Sequence, residues 1–212
     1  MIFESFVLIA MGLVVGLSGA VIPGPLLAFT LFDTSRKRRI TGHYVMVGHV
    51  LWEFGVILVI LLGFGWLILG NTPTIYLAGG IVLVIMGINM IGKRAREVKM
   101  DEARIDSSLG GGIFYTAFNP TQPVWWATAG LALLLKGLEV MGILGVLLVT
   151  AGHWLSDFGY YTFVSFVVHR HASYVNPRQR YMSTILGLFL SALGIYFVQQ
   201  GLEKLVPLSR LP

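Results

Sequence analysis

Two stretches decide how this chain is read: GHVLWEFG, Gly48–Gly55, and GHWLSDFG, Gly152–Gly159. Each sets a histidine and a carboxylate four residues apart in a run that is otherwise apolar. Of the 212 residues, 56% are hydrophobic and only 12% charged, with a mean hydropathy of +0.79. A soluble domain carries about 25% charged residues, so the composition is that of a membrane protein. Apolar runs near Ile2–Thr30, Gly42–Leu69, Thr74–Gly92, Gly110–Leu135, Val140–Val168 and Met182–Gly201 each reach the roughly 20 residues that cross a bilayer core of about 30 Å. The expected fold class is therefore an all-α membrane protein with six transmembrane helices, in one membrane domain over residues 1–212.

The start MIFESF has an acid and no basic segment, so the first run is expected to be a helix rather than a cleaved signal. Cysteine is absent, which removes disulfides and thiolate metal sites. Although the net charge is +5, the basic residues follow topology rather than a nucleic-acid surface. Arg36, Lys37, Arg38 and Arg39 follow the first run; Lys93, Arg94, Arg96, Lys99 and Arg104 the third; Arg170, Arg178 and Arg180 the fifth. These are 12 of the 15 Lys and Arg residues, and the positive-inside rule then puts these loops in the cytoplasm and both termini outside. No nucleic acid is expected as a partner; contact with anionic lipid is compatible with the same loops.

The polar segment from Lys93 to Ser108 divides the chain into two halves, 1–92 and 109–204, with 93–108 as a cytoplasmic linker. Beyond the opening pair, VIPGP at Val21–Pro25 stands against FNPTQP at Phe118–Pro123, and more weakly MGIN at Met86–Asn89 against LGIY at Leu193–Tyr196. Three helices per half make the second half cross in the opposite sense, so the halves are expected to be inverted repeats. In such architectures sites form near the midplane between the repeats, often where helices are broken.

Glu53 and Asp157 are the acids that fall deep in apolar runs, each about eleven residues, or roughly 17 Å at 1.5 Å per residue, from the cytoplasmic end. An ionised group at that depth costs on the order of 2.5–3.5 kcal/mol, so such residues tend to face an interior site and act. The spacing of four puts His49 over Glu53 and His153 over Asp157 on one helix face, where each pair can share a proton. The same four side chains are also a plausible N/O ligand set for a divalent metal, but the motif is not the HExxH of zinc proteases. A purely structural bracing role is the plain alternative.

Proline removes a backbone donor and disfavours helix in the residue before it. Pro23, Gly24 and Pro25 are expected to break the first helix, and Asn119, Pro120, Thr121, Gln122 and Pro123 the fourth. The half-helix N-termini so created favour an anion such as a carboxylate. Of the five tryptophans, Trp52, Trp66, Trp125, Trp126 and Trp154, Trp52 and Trp154 adjoin the His/acid pairs, where cation–π contact with a substrate ammonium is weighed against space-filling and the latter preferred; the glycines flanking both motifs read as packing contacts.

With VIPGP closing the first run, a basic loop behind it, GHxLxE in the second and FNP opening the fourth, the chain resembles the LysE/RhtB family of amino-acid exporters over nearly its whole length. The most specific marks fall on Pro23, Gly24, Pro25, Asn119 and Pro120. The resemblance implies a six-helix exporter of the prokaryotic inner membrane, often a homodimer, that drives basic or small neutral amino acids out against proton entry. Relatives in the wider superfamily export metal ions. Many members continue NP with lysine where this chain has Thr121, and the two histidines depart from the pattern of the best-known lysine and threonine exporters. The expected function is thus proton-coupled export of an amino acid or related zwitterion with no cofactor, the alternative being a divalent-metal exporter. An intramembrane enzyme using the His/acid pairs as acid and base finds no nucleophile motif to support it.

Overall fold

The computed structural model describes residues 2–64, 72–92 and 105–205, and among these every regular element is helical. Trp66 and positions 93–104 of the expected linker lie outside the described residues. Helix α1 spans Ile2–Ala20 and α2 Pro25–Lys37; α3, Gly42–Val59, runs into a wide π turn at Ile60–Phe64 in which Gly63 takes φ 85°. Helix α4 is Thr72–Gly92 and α5 Ser108–Ala117, the latter capped by Ser107, whose side chain accepts the Gly110 N–H. The short α6, Thr121–Trp125, continues through a π turn at Trp126–Gly130 into α7, Leu131–Arg170; α8 is Ala172–Leu205.

Three helical segments among the described residues, Ile2–Ala20, Gly42–Gly63 and Thr121–Arg170, are long and apolar enough to cross a membrane. The last is 50 residues long and is interrupted at Met141 and Gly142, where Gly142 takes φ 60°. The gap between the fourth and fifth apolar runs therefore sits a few residues later than the hydropathy suggests, because Lys136 and Glu139 remain on the helix as an ion pair at 3.0 Å.

The first run is two helices. Gly24 is extended, with φ −152° and ψ −177°, and Pro25 opens α2, a first-turn position where its missing N–H removes no intrahelical bond. The fourth run is likewise interrupted at Phe118–Pro120.

Helices α1 and α7 pack together, as do α3 and α5, and as do α4 and α8. Glycine permits each crossing. A Cβ at Gly12 would overlap the Val149 carbonyl oxygen, and one at Gly152 that of Ile9; a Cβ at Gly112 would overlap the Val45 carbonyl oxygen, and one at Gly48 that of Leu109. In the third pair, Gly80 meets Gly194 and Gly87 meets Gly187 and Ser191. The motif-flanking glycines thus divide: Gly48 and Gly152 are packing contacts, whereas Gly55 and Gly159 have nothing within 4 Å.

One end of the bundle is closed by polar side chains. Asp33, which reads in sequence as a loop acid, is fully buried in α2. Its carboxylate takes Lys37 Nζ at 2.9 Å, Arg36 at 3.3 Å and the Ser108 hydroxyl at 2.7 Å, while Arg36 also reaches the Asp106 carboxylate at 2.6 Å. Beside this, Thr34 bonds Thr41 and Ser165 at 2.8 and 2.7 Å, tying α2 to the start of α3 and the end of α7. Breaking one partner of a buried charged cluster costs about 3–5 kcal/mol. Asp33→Ala is expected to lower stability by about that amount, visible as a lower melting temperature of the detergent-solubilised protein. An unchanged melting temperature would contradict the structural role.

Candidate functional site

The α-helical repeat places residues four apart on one face, so α3 carries His49 beneath Glu53 and α7 carries His153 beneath Asp157. All four are buried, and one ligand atom from each falls within 4.8 Å of the others. Along both helices they lie between apolar residues. Val45 and Met46 precede His49 while Ile57 follows Glu53; Val146 and Val149 precede His153 while Tyr161 follows Asp157. The four side chains are thus buried among apolar residues, where electrostatic interactions are stronger than in bulk water.

The helices meet at Glu53. Its Oε2 lies 3.2 Å from His49 Nε2 on its own helix and 3.1 Å from His153 Nε2 across the bundle. Asp157 Oδ2 lies 3.4 Å from each of the same two nitrogens. Three neutral N–H groups also donate to Glu53: Gln122 and Trp126 to Oε1, both at 2.9 Å, and Trp154 to Oε2 at 3.0 Å. Both oxygens accept from groups that can only donate, which is the pattern of an ionised carboxylate. Asp157 Oδ2 has no hydrogen-bond partner among the described residues.

The structure thus joins the two regions that sequence treats separately, because Gln122 extends from the break before α6 to Glu53. Trp126 reaches Glu53 from the π turn, an irregularity common at functional sites. Asn119 turns back on its own segment, its Oδ1 accepting the Thr121 N–H at 3.2 Å and hydroxyl at 2.8 Å, and its carbonyl takes the Gln122 N–H at 3.1 Å. Two of the N–H groups at this helix start are therefore already used. The breaks face one another, since a Cβ on Gly24 would come 3.7 Å from Asn119 Nδ2. Pro25 and Pro120 are buried, Pro23 is exposed, and Pro123 is part-buried; none of them supplies a polar side-chain atom.

Four residues carry site roles that the sequence reading did not give them. Trp154, read as space-filling, and Trp126 are both donors to Glu53. Trp125 stacks on His153 with ring centroids 4.6 Å apart. Thr116 lies 3.0 Å from His49 Nδ1. The available signal was polarity at helical spacing: Thr116 in α5 and Trp126 after the break both lie where a neighbour's acid or imidazole could need a partner. Which neighbour packs there is not a local property.

Chemically, the arrangement can hold a cation against two carboxylates and two buried imidazoles, and it can pass a proton between helices. A metal would draw on the same four side chains, although Glu53 already receives three N–H bonds.

The comparison with curated proteins gives no match, and that with solved structures gives none. A family model described as LysE type translocator matches residues 17–201, and the chain belongs to that family of multi-pass membrane transporters, which are not enzymes.

Proposed function

We propose that the protein is a secondary exporter of an amino acid or related small zwitterion, coupled to proton entry across the prokaryotic inner membrane. The observation that carries this reading is the buried cluster of His49, Glu53, His153 and Asp157, contributed by two helices and joined through Gln122 to a helix break. In the proposal the cargo's ammonium is held by the carboxylates, its own carboxylate lies toward the breaks at Pro23–Pro25 and Asn119–Pro123, and the histidines hand on the proton.

The chain then crosses the membrane six times as two inverted three-helix halves, 1–92 and 109–204, with the termini outside and a homodimer as a possible assembly. The paired crossings support this. Exchanging Ile9 with Leu109, Gly12 with Gly112, Val45 with Val149 and Gly48 with Gly152 converts the α1–α7 contacts into the α5–α3 contacts. The same exchange of Gly80 with Gly187 and Gly87 with Gly194 maps the α4–α8 contacts onto themselves, in the register that MGIN and LGIY share.

The test is counterflow of radiolabelled amino acids in proteoliposomes, with and without an imposed pH gradient, for the wild type and Asp157→Asn. Removing a close charge partner costs on the order of 1.5–7 kcal/mol. Asp157→Asn is expected to slow transport at least about tenfold while changing thermal stability less than Glu53→Gln, because Asp157 Oδ2 makes only two 3.4 Å imidazole contacts where Glu53 accepts bonds at 2.9–3.1 Å. Transport that ignores both the pH gradient and the substitution would refute proton-coupled use of this site.

A further inference from the structure

We propose that the cluster is a cation receptor formed by His49 Nε2, Glu53 Oε2 and Asp157 Oδ2, in which Thr116 is a positioning residue and His153 is an N–H donor rather than a fourth ligand. This rests on the central-site reading above and specifies what the site holds: the cationic group of the cargo, an ammonium or a metal ion.

The hydrogens around His49 set its tautomer. The Thr116 hydroxyl has one hydrogen, and it goes to the Gly112 carbonyl at 2.7 Å. The bond between Thr116 Oγ1 and His49 Nδ1 at 3.0 Å must therefore use a Thr116 lone pair, so His49 carries its proton on Nδ1. A neutral His49 then presents the bare Nε2 lone pair to Glu53 Oε2 at 3.2 Å and Asp157 Oδ2 at 3.4 Å. With His49 neutral, three acceptors converge and none of them can donate to another; a second proton on His49 Nε2 would occupy the same place as the cation. Such a convergence suits a positive charge with donors or vacant coordination.

His153 is arranged the opposite way. Its Nε2 bonds the Glu53 carboxylate at 3.1 Å, which already accepts three other N–H groups and can only accept again, so the His153 proton is on Nε2. Its Nδ1 has no partner among the described residues. Where α5 offers Thr116 to His49, α1 offers Gly16 to His153, and a Cβ there would fall 2.5 Å from Nδ1. The ring is instead held by stacking on Trp125.

The carboxylates differ in the same sense. Glu53 is fixed by Gln122, Trp126 and Trp154. Val50 occupies the place in α3 that Trp154 occupies in α7, and the segment from Ile22 to Phe29 contains no side-chain donor to match Gln122 or Trp126. Asp157 is therefore free to turn toward a cargo cation while Glu53 is held as its counter-charge.

The experiment uses the full chain in lipid nanodiscs with 15N-labelled histidine, with the pH raised until the nitrogen shifts themselves report both rings as neutral. Two-bond proton–nitrogen correlations, assigned with His49→Gln and His153→Gln, report each tautomer. His49 is expected to show Nδ1–H and His153 Nε2–H; Thr116→Val is expected to redistribute the His49 proton, and Thr116→Ser to restore it.

Binding is then titrated with methylammonium in one series and zinc ion in the other. His49→Gln and Asp157→Asn are expected to weaken binding of the probe that binds by at least about tenfold. His153→Gln, which keeps an N–H for Glu53, should weaken it less than about threefold. A response to methylammonium assigns an ammonium; a response to zinc alone assigns a metal ion. Nε2–H on His49, equal losses in the two histidine variants, or His49 signals indifferent to both probes would each overturn the proposal. Failure of amino-acid counterflow with the histidine difference intact would remove only the cargo reading.

Discussion

Glu53→Gln is expected to reduce transport at least about 100-fold, which corresponds to about 2.7 kcal/mol. It should also cost more stability than any other single-atom change in the site. The amide oxygen can take the place of Oε1 and keep the bonds from Gln122 and Trp126. The amide nitrogen then stands where Oε2 accepted from His153 and Trp154, so donors face donors. Each buried donor left without an acceptor costs about 1–3 kcal/mol. Two losses therefore combine, one of cargo affinity and one of folding free energy, and they are separable. Counterflow reads the first and a detergent melting curve the second. Transport within tenfold of wild type in a folded Glu53→Gln protein would remove Glu53 from the centre of the mechanism, and an unchanged melting temperature would contradict the three-donor cradle.

The other large effect concerns the crossings. Gly12→Leu and Gly112→Leu are each expected to eliminate the folded, monodisperse protein, read as loss of the main size-exclusion peak. A Cβ at either position meets a backbone carbonyl of the partner helix, and a backbone cannot rotate away as a side chain can. Overpacking of even a few methylenes costs about 1–3 kcal/mol, and separating the helices would also pull apart the residues around Glu53. The matched controls are Gly55→Leu and Gly159→Leu, where nothing lies within 4 Å; these should elute as wild type. If all four variants behave alike, the crossings are not where the structure puts them.

Much of this was legible in sequence because charge in an apolar run is conspicuous. His49, Glu53, His153 and Asp157 stand out for that reason, and Pro23, Pro25 and Pro120 mark breaks because proline chemistry is local. Trp154 was not legible as a donor: a tryptophan in a membrane segment fills space as readily as it donates, and only the approach of α3 to α7 decides which. Asp33 misled in the opposite direction. Its neighbours Arg36, Lys37, Arg38 and Arg39 give the segment a loop's composition, yet two of those cations neutralise it inside the bundle while Ser108 donates a hydrogen bond to it. The contrast of Thr116 with Gly16 was the least visible, since neither residue is unusual until each is set against a histidine of another helix.

The polar cluster around Asp33 and the apolar cluster of Trp126, Leu133 and Leu134 join the helices with different materials. If the proposed exporter opens at the one cluster and then at the other, separating the first exchanges charge-assisted bonds for hydration, a step with a large enthalpy. Separating the second exposes apolar surface and so carries a heat-capacity increment. The two half-cycles should therefore respond differently to temperature.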